Sequence, residues 1–122
     1  MDYKILIADD EPEIRNLLRL YLENENYHVI EAEDGQRALD LLRAEQPALC
    51  ILDIMMPKID GYTATRVIRS TNRQDAKAIP IIAMTAHVFD EDVKAGMNAH
   101  LPKPLQMEKV VSTIARLCKR KK

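Results

Sequence analysis

ILIADD, residues 5–10, joins a continuous apolar run to a pair of carboxylates. An apolar run without polar alternation predicts a β-strand that is covered on both faces, as in a parallel sheet. In open α/β sheets ligands bind beyond the carboxyl ends of the strands, which is where this run places Asp9 and Asp10. The segment therefore predicts a fold class, and also the edge of the sheet at which a site should be sought.

The same kind of run recurs along the chain. LCIL at 49–52, IIAM at 81–84 and the weaker AHL at 99–101 are continuous and apolar, whereas HVIEA at 28–32 mixes polar and apolar positions and suits an edge strand. Apolar residues at helical spacing lie between these runs, at Ile14, Leu17, Leu18, Tyr21 and Leu22, at 38–42, at 64–68, and at Met107, Val110, Val111, Ile114 and Leu117. We expect the first and last of these stripes to face the sheet. Strands that alternate with helices through short links require right-handed crossovers, so the sequence predicts a doubly wound α/β fold with an open parallel sheet.

Composition and charge restrict the function. A chain of 122 residues, 47% hydrophobic and 30% charged, fits one globular domain. It has no apolar run long enough to span a membrane and no basic start followed by an apolar stretch, so we expect no membrane contact, no signal peptide and a cytoplasmic location. The formal net charge is −1, and without the four cations at 119–122, which form a basic tail or linker stub, residues 1–118 carry −5. A body of that charge has no extended basic face, so we expect no direct binding to nucleic acid.

Carboxylates follow the ends of several predicted strands. Asp9 and Asp10 follow the first strand, Glu33 and Asp34 follow the second, and Asp53 follows the third. The first and third strands are expected to be central and adjacent, which would bring Asp9, Asp10 and Asp53 to one edge of the sheet. Three carboxylates at one edge repel one another unless a cation or a proton relieves them. Mg²⁺ fits this role, because it prefers oxygen ligands and retains waters for a phosphate-bearing partner. The ordinary alternatives are a helix N-cap at Asp10 and a polar loop residue at Asp53.

A hydroxyl and an ammonium complete this set. Thr85 follows the strand at 81–84, and its hydroxyl can donate to a phosphoryl oxygen, although threonine at a strand end is also an ordinary turn residue. Lys103 lies between Pro102 and Pro104, which restrict the backbone and favour an ammonium directed at the carboxylates; the alternative is a surface lysine. With the carboxylates, these groups predict a phosphoryl site, with an aspartate as acceptor and an acyl phosphate as product.

These positions give the chain, over essentially its whole length, a resemblance to the receiver domain of two-component response regulators. The resemblance is carried by residues 5–11, by 52–57 with Asp60 and Gly61, by 84–86, and by Lys103 with Pro104. It implies a flavodoxin-like (βα)5 receiver domain over residues 1–118, with strand order 2-1-3-4-5. It also implies a cis peptide bond before Pro104.

The resemblance implies a role for each site residue. Asp53 would accept the phosphoryl group, Thr85 would be the switch hydroxyl, and Lys103 would contact the phosphoryl group. The implied ligands of Mg²⁺, or of Mn²⁺ in its place, are Asp9, Asp10, Asp53 and the backbone carbonyl of Met55. The implied donor is a histidine kinase or a histidine phosphotransfer protein. The domain would be a monomer or weak dimer that accepts and loses a phosphoryl group without being a turnover enzyme.

Two features depart from the family pattern. Receivers often carry Phe or Tyr three residues before Lys103, whereas this chain has His100, as occurs in receivers of hybrid histidine kinases, which its C-terminal half resembles most. We expect His100 either to move with Thr85 as part of the switch or to stay on the solvent side of an edge strand. Thr85 and Lys103 are 18 positions apart (103 − 85), about one helical turn fewer than usual, which predicts a shortened fourth helix. Phosphorylation is expected to change the surface near helix 4, strand 5 and helix 5.

Two other classes of function compete with this interpretation. An aspartyl-phosphate phosphohydrolase would use the same residue types, but enzymes of the haloacid dehalogenase type place a second carboxylate two residues after the nucleophile, where this chain has Met55. The other alternative is a receiver-like binding module that works without phosphorylation. The presence of all the chemical positions disfavours it. Labelling with acetyl phosphate and Mg²⁺ would distinguish the three.

Overall fold

The computed structural model describes residues 3–56, 58–70, 79–85 and 96–118. The strands in this part are β1 (Lys4–Ala8), β2 (His28–Ala32), β3 (Leu49–Asp53), β4 (Ile81–Thr85) and β5 (Ala99–Pro102). The helices are α1 (Pro12–Asn24), α2 (Gly35–Glu45), α3 (Gly61–Ser70) and a C-terminal helix (Met107–Cys118). None of these helices is both long and apolar enough to cross a membrane. The predicted shortened helix between β4 and β5 and the basic tail at 119–122 lie outside the described residues.

All neighbouring strands of the sheet are parallel, and their order is β2-β1-β3-β4-β5. This order confirms the predicted doubly wound, flavodoxin-like α/β fold. The chain passes from β2 back across β1 to reach β3, so the direction of winding reverses between β1 and β3. Ligands of such sheets bind at this point of reversal, beyond the carboxyl ends of the strands.

Two apolar layers enclose the sheet, because successive strand residues point to opposite faces. On one face Leu6, Cys50 and Ile81 pack with α2 and α3, and on the other Ile5, Ile51 and Ile82 pack with α1 and the C-terminal helix. The helix residues buried in the first layer include Ala38, Leu42, Ala64 and Ile68, and those in the second include Leu18, Leu22, Val110 and Ile114. Every residue of β3 is buried, as expected for a central strand.

The apolar stripe of α1 is wider than the surface that covers it. Leu18 and Leu22 are buried, but Leu17 and Tyr21 are 41% and 45% exposed, so the expectation that the whole stripe faces the sheet is wrong for these two residues. Tyr21 instead lines a groove of about 400 Å³ together with Met107 and other residues of the C-terminal helix. The difference arises because the spacing of apolar residues gives their direction around the helix axis, whereas burial depends on how closely the next helix approaches.

Candidate functional site

The order of the strands brings the predicted carboxylates to one place. Asp9 directly follows β1, and Asp53 is the last residue of the neighbouring strand β3. Asp9 and Asp53 are buried, with at most 3% of the residue exposed, whereas Asp10 is exposed. One carboxylate oxygen from each of the three lies within 4.8 Å of the other two. The structure therefore groups Asp9, Asp10 and Asp53 at the carboxyl edge of the sheet.

Asp9 is held rigidly, with one oxygen left for other contacts. Its backbone N–H donates to the carbonyl of Ala32 on β2 at 3.1 Å, and its Oδ1 accepts from the Glu11 N–H at 2.8 Å. Its Oδ2 is buried and has no hydrogen-bond partner among the described residues, although the ammonium of Lys103 approaches it to 3.3 Å. A buried oxygen in this condition is a natural ligand for a cation.

Lys103 points into the group of carboxylates, as its position between two prolines predicts. Its Nζ lies 3.3 Å from Asp9 Oδ2, 3.5 Å from Asp53 Oδ2 and 3.7 Å from Glu11 Oε1. The side chain is 21% exposed, so these ion pairs are partly screened from water. The peptide bond between Lys103 and Pro104 is cis, as the resemblance implies. The loop after β5 therefore directs a positive charge toward the ends of β1 and β3.

The charges of this cluster are poorly balanced. Burial, and then the negative charge of Asp9, raise the pKa of Asp53 to about 6, against the opposing effect of Lys103. Burial also raises the pKa of Asp9. For Lys103 burial lowers the pKa, but the charges of Asp53 and Asp9 together outweigh it, and the net pKa is raised. A single ammonium does not fully compensate the two buried carboxylates, so the cluster favours additional positive charge.

The donor set fits a hard divalent cation. It offers carboxylate oxygens from three side chains, one of them the buried Oδ2 of Asp9, and no sulfur or imidazole ligand from the described residues belongs to the group. Mg²⁺ is bound by one or two carboxylates and keeps several waters, and Mn²⁺ accepts the same ligands. The exposed position of Asp10 leaves one side of the cluster open to solvent and to a partner.

The loop after β3 forms the open side of the site. The Asp53 Oδ1 accepts from the Met55 N–H at 3.1 Å, which fixes the carboxylate, and the Met55 side chain is 79% exposed. Helix α3 begins close to this loop: a Cβ on its first residue, Gly61, would lie only 2.6 Å from the Asp53 carbonyl oxygen. A cleft of about 510 Å³ opens here, lined by Asp10, Ile54, Met55, Met56, Asp60 and Tyr62. A partner molecule can approach the carboxylates along this cleft.

The carboxylate after β2 has a different role. Asp34 is the N-cap of α2, and its Oδ1 accepts from the Arg37 N–H at 2.8 Å. This hydrogen bond is the main reason that the pKa of Asp34 is lowered, with Lys58, 3.3 Å from Oδ2, as a further cause. Asp34 is therefore a structural cap and does not belong to the acidic cluster of Asp9, Asp10 and Asp53.

Two predicted site residues remain, Thr85 and His100, and the structure describes each of them only in part. Thr85 ends β4 beside Pro102 of β5, but its side chain lies outside the described part, so the prediction for its hydroxyl stays a prediction. His100 is half-buried on the edge strand β5, opposite Ala83 and on the other face of the sheet from Leu101. Its Nε2 is shielded from solvent. Neither expectation for His100 is decided by this placement.

Sequence reasoning missed two residues that support the site. Arg15 on α1 donates to the backbone carbonyl of Asp9 at 2.6 Å, and it pairs with Glu31 of β2 at 3.0 Å. A glutamate such as Glu31, in a strand that packs against helices, indicates that a cationic side chain lies nearby to pair with it. This pattern does not say which of the chain's arginines Glu31 binds, because the contact depends on how α1 packs.

The chain matches the response regulator receiver domain over residues 5–115. It belongs to this family. Response regulator MprA of Mycolicibacterium vanbaalenii is 36% identical over 124 residues, and the alignment covers 98% of this chain and 52% of that protein. The chain therefore spans about half the length of the curated relatives that it matches first.

Solved structures show the same fold. A putative response regulator from Chloroflexus aurantiacus has a TM-score of 0.90 and 29% identity, with 98% of this chain and 100% of that chain covered. The receiver domain of a sensor histidine kinase from Pseudomonas aeruginosa, which has a magnesium ion coordinated in its active site cleft, has a TM-score of 0.88 and 28% identity, with 98% and 100% covered. Receiver domains are phosphorylation switches of two-component systems that interact with histidine kinases and phosphotransfer proteins, and in general they are not turnover enzymes.

Proposed function

We propose that Asp53 accepts a phosphoryl group from a phosphohistidine of a histidine kinase or histidine phosphotransfer protein in a Mg²⁺-dependent step. The observation that carries this proposal is the environment of its carboxylate. Oδ1 is fixed by the Met55 N–H, while Oδ2 faces the Lys103 ammonium at 3.5 Å, and the residues that follow Asp53, Ile54 and Met55, line the open cleft. Such a carboxylate is oriented for attack and has a cation beside the position where a phosphoryl group would lie.

The other residues of the cluster divide the remaining tasks. Asp9, Asp10 and Asp53, with the backbone carbonyl of Met55, are the proposed ligands of Mg²⁺, with Mn²⁺ as a substitute. When bound, the ion would neutralise charge on the phosphoryl oxygens. Lys103 already lies within ion-pair distance of two of these carboxylates, so it can move from them to a phosphoryl oxygen with little displacement. Thr85 is the proposed hydroxyl donor to a further phosphoryl oxygen.

The transfer balances without another reactant. An Asp53 oxygen forms a bond to phosphorus while the phosphorus–nitrogen bond of the donor breaks, and the electron pair of that bond stays with the imidazole, which takes up a proton. The product is an acyl phosphate, which water can later hydrolyse to regenerate the carboxylate. Each cycle consumes one phosphohistidine, so the chain acts as a switch whose state is set by its partner.

The proposed output is a change of surface. The phosphoryl group would draw Thr85 toward Asp53, and the segment that follows β4 would move with it, together with the surface formed by β5 and the C-terminal helix. His100 either follows this movement or stays in place on the edge strand. We further propose that the domain acts as a monomer or weak dimer without direct contact to nucleic acid, in keeping with the net charge of residues 1–118.

Acetyl phosphate tests the acceptor directly. Incubation of the chain with acetyl phosphate and Mg²⁺, followed by intact-mass measurement, should show one added phosphoryl group, and chelation of Mg²⁺ should suppress it. Asp53→Asn should take no label. Asp60→Asn is the matched control, because Asp60 is an exposed aspartate on the same loop whose capping of the Thr63 N–H an asparagine can replace.

The other outcomes identify the alternatives. Label on Asp53→Asn would show that another residue is the acceptor. An unlabelled parent that still binds Mg²⁺ would favour a binding module that works without phosphorylation. Continuous release of phosphate from many equivalents of an organic phosphate ester would favour a phosphohydrolase.

A further inference from the structure

Two arginines of α1 reach Glu31 on β2, and one of them also reaches the acidic cluster. Arg15 Nε donates to Glu31 Oε1 at 3.0 Å, and Arg15 Nη1 donates to the backbone carbonyl of Asp9 at 2.6 Å. The side chains of Arg15 and Glu31 are only 17% and 20% exposed, so this pair is better protected from solvent than ordinary surface pairs. Arg15 therefore connects the edge strand to the peptide group that precedes Asp10.

This peptide group governs the position of Asp10. The atoms from the Asp9 carbonyl to the Asp10 Cα lie in one rigid plane, so a hydrogen bond to the carbonyl oxygen fixes the direction in which the chain continues to Asp10. Asp9 itself is held independently, by its N–H on Ala32 and its Oδ1 on Glu11. Asp10 is exposed, and so its approach to the cluster depends chiefly on the backbone.

We infer that Arg15 is a positioning residue for the divalent cation, which it serves by holding Asp10 within reach of Asp9 and Asp53. The inference rests on the proposed Mg²⁺ site. Groups that orient metal ligands without touching the metal typically change its affinity about 10–100-fold when they are mutated. Arg15 acts on Asp10, the exposed one of the three ligands.

The guanidinium is suited to this task where an ammonium is not. Its planar fork presents Nε and Nη1 in fixed relative directions, so one side chain binds a carboxylate and a carbonyl on two different elements at once. Glu31 keeps the fork in this orientation by accepting from Nε. A lysine retains the charge but offers only a point charge on a flexible stem, and it cannot hold both acceptors in the same geometry.

Arg19 provides a matched control on the same helix. It donates to the other oxygen of Glu31, to the Val29 carbonyl at 3.2 Å and to Glu23 at 3.2 Å. These contacts resemble those of Arg15 in kind, since both residues bind Glu31 and a backbone carbonyl. They lead to the middle of β2 and not to the peptide between Asp9 and Asp10.

The experiment compares Arg15→Lys with Arg19→Lys in Mg²⁺ titrations of the full chain. We expect the dissociation constant for Mg²⁺ to rise about tenfold in Arg15→Lys and to stay near the parent value in Arg19→Lys. Without metal, the amide resonance of Asp10 should shift in the first variant and not in the second. The Mg²⁺ concentration for half-maximal labelling by acetyl phosphate should rise by the same factor, while the rate at saturating Mg²⁺ returns to that of the parent.

Each remaining outcome decides against the inference or locates the failure elsewhere. Arg15→Lys that binds Mg²⁺ as tightly as the parent, or Arg19→Lys that is weakened equally, would overturn the positioning role. If Arg15→Lys does not fold, Glu31→Gln provides a second test. It keeps an acceptor for Arg15 Nε but removes the negative charge, so it should weaken Mg²⁺ binding by a measurable factor that is smaller than ten. A parent that binds Mg²⁺ but takes no label would overturn the phosphoacceptor proposal alone, and a parent that binds no Mg²⁺ would overturn the metal site and this inference with it.

Discussion

Burial and the neighbouring charge of Asp9 raise the pKa of Asp53 to about 6, from an ordinary value of 3.8. Between these two values the folded chain keeps a proton that the unfolded chain releases, so the free energy of unfolding decreases as pH rises through this range. The charged form of Asp53 therefore destabilises the metal-free fold above pH 6, by as much as about 3 kcal/mol. The charged carboxylate that we propose as acceptor thus lowers the free energy of unfolding, and strongly shifted pKa values of this kind are common at functional sites.

The first prediction follows from this pKa. Asp53→Asn should raise the free energy of unfolding of the metal-free chain by about 1–3 kcal/mol at pH 7.5, because it removes a buried charge and keeps the shape. Near pH 4, where the carboxyl is protonated in the fold, the gain should nearly vanish. Urea unfolding in the presence of a chelator measures both values, and Asp60→Asn, at an exposed position, should change neither. A loss of stability in Asp53→Asn at pH 7.5 would mean that Lys103 more than compensates the charge.

Individual residues also show what the sequence can and cannot predict. That Asp9 and Asp53 lie at the same edge of the sheet follows from the alternation of strands and helices, because parallel strands end at one edge. Asp34 also follows a strand, and only the structure separates it from the cluster, because an N-cap and a metal ligand require the same residue type at the same kind of position. Arg15 could not be predicted as a partner of Asp9, since its contact depends on a side-chain conformation set by tertiary packing.

Arg69, near the C-terminal end of α3, connects this helix to the segments that precede β4 and β5, at the end of the sheet opposite the acidic cluster. Its guanidinium donates to the Ile79 carbonyl at 2.7 Å, to the Gly96 carbonyl at 2.8 and 3.0 Å, and to Asn98 Oδ1 at 2.8 Å. Asn98 Oδ1 also accepts from the Ile81 N–H at 2.8 Å, so the starts of β4 and β5 are connected through one side chain. Burial lowers the pKa of Arg69, yet the guanidinium stays charged in this carbonyl-rich site.

The second prediction concerns this connection between elements. Arg69→Met should lower the free energy of unfolding by about 2–4 kcal/mol, because it leaves two carbonyls and an amide oxygen without their charged donor. Mg²⁺ affinity should stay unchanged, because these contacts lie at the amino ends of β4 and β5, away from Asp53. Urea unfolding and Mg²⁺ titration measure the two effects. The exposed Arg66 on the same helix provides the control Arg66→Met, whose stability should stay near the parent value. Equal losses in both variants would show that the contacts of Arg69 contribute little.

Elements differ in how well their patterns predict them. Continuous apolar runs identify β1, β3 and β4 to within a residue, because a strand buried on both faces excludes polar side chains. The mixed pattern of β2 correctly indicates an edge strand. The stripe of α1 was less informative, since helical spacing does not tell whether a neighbouring helix covers Leu17 and Tyr21.

At the scale of the whole molecule, the strand order could not be derived from alternation alone. Alternation and right-handed crossovers require a parallel sheet, but they leave open on which side of β1 each later strand is added. The order came from the resemblance to receiver domains, and the structure confirms it. The consequence is functional, because only an order that reverses beside β1 and β3 places Asp9 and Asp53 on neighbouring strands at the crevice.

The third prediction follows from the fact that the acidic cluster exists only in the folded chain. Its members come from the ends of β1 and β3, separated by more than 40 residues (53 − 9 = 44), so unfolding disperses them. A ligand that binds the folded state alone stabilises it by about 2.7 kcal/mol at a concentration one hundred times its dissociation constant. Mg²⁺ should therefore raise the midpoint of thermal or urea unfolding at pH 7.5.

The size of this stabilisation should depend on pH and on one exposed carboxylate. At pH 5 the proton on Asp53, whose pKa is about 6 without metal, competes with Mg²⁺, so the gain in unfolding free energy should be smaller than at pH 7.5. Asp10→Ala should lose most of the gain, because it removes a ligand without disturbing the buried pair, while Asp60→Asn should retain it. Unfolding curves with and without Mg²⁺ at constant ionic strength measure these differences. Equal stabilisation of Asp10→Ala and the parent would place the ion elsewhere on the acidic surface, since screening or loose surface binding does not depend on Asp10.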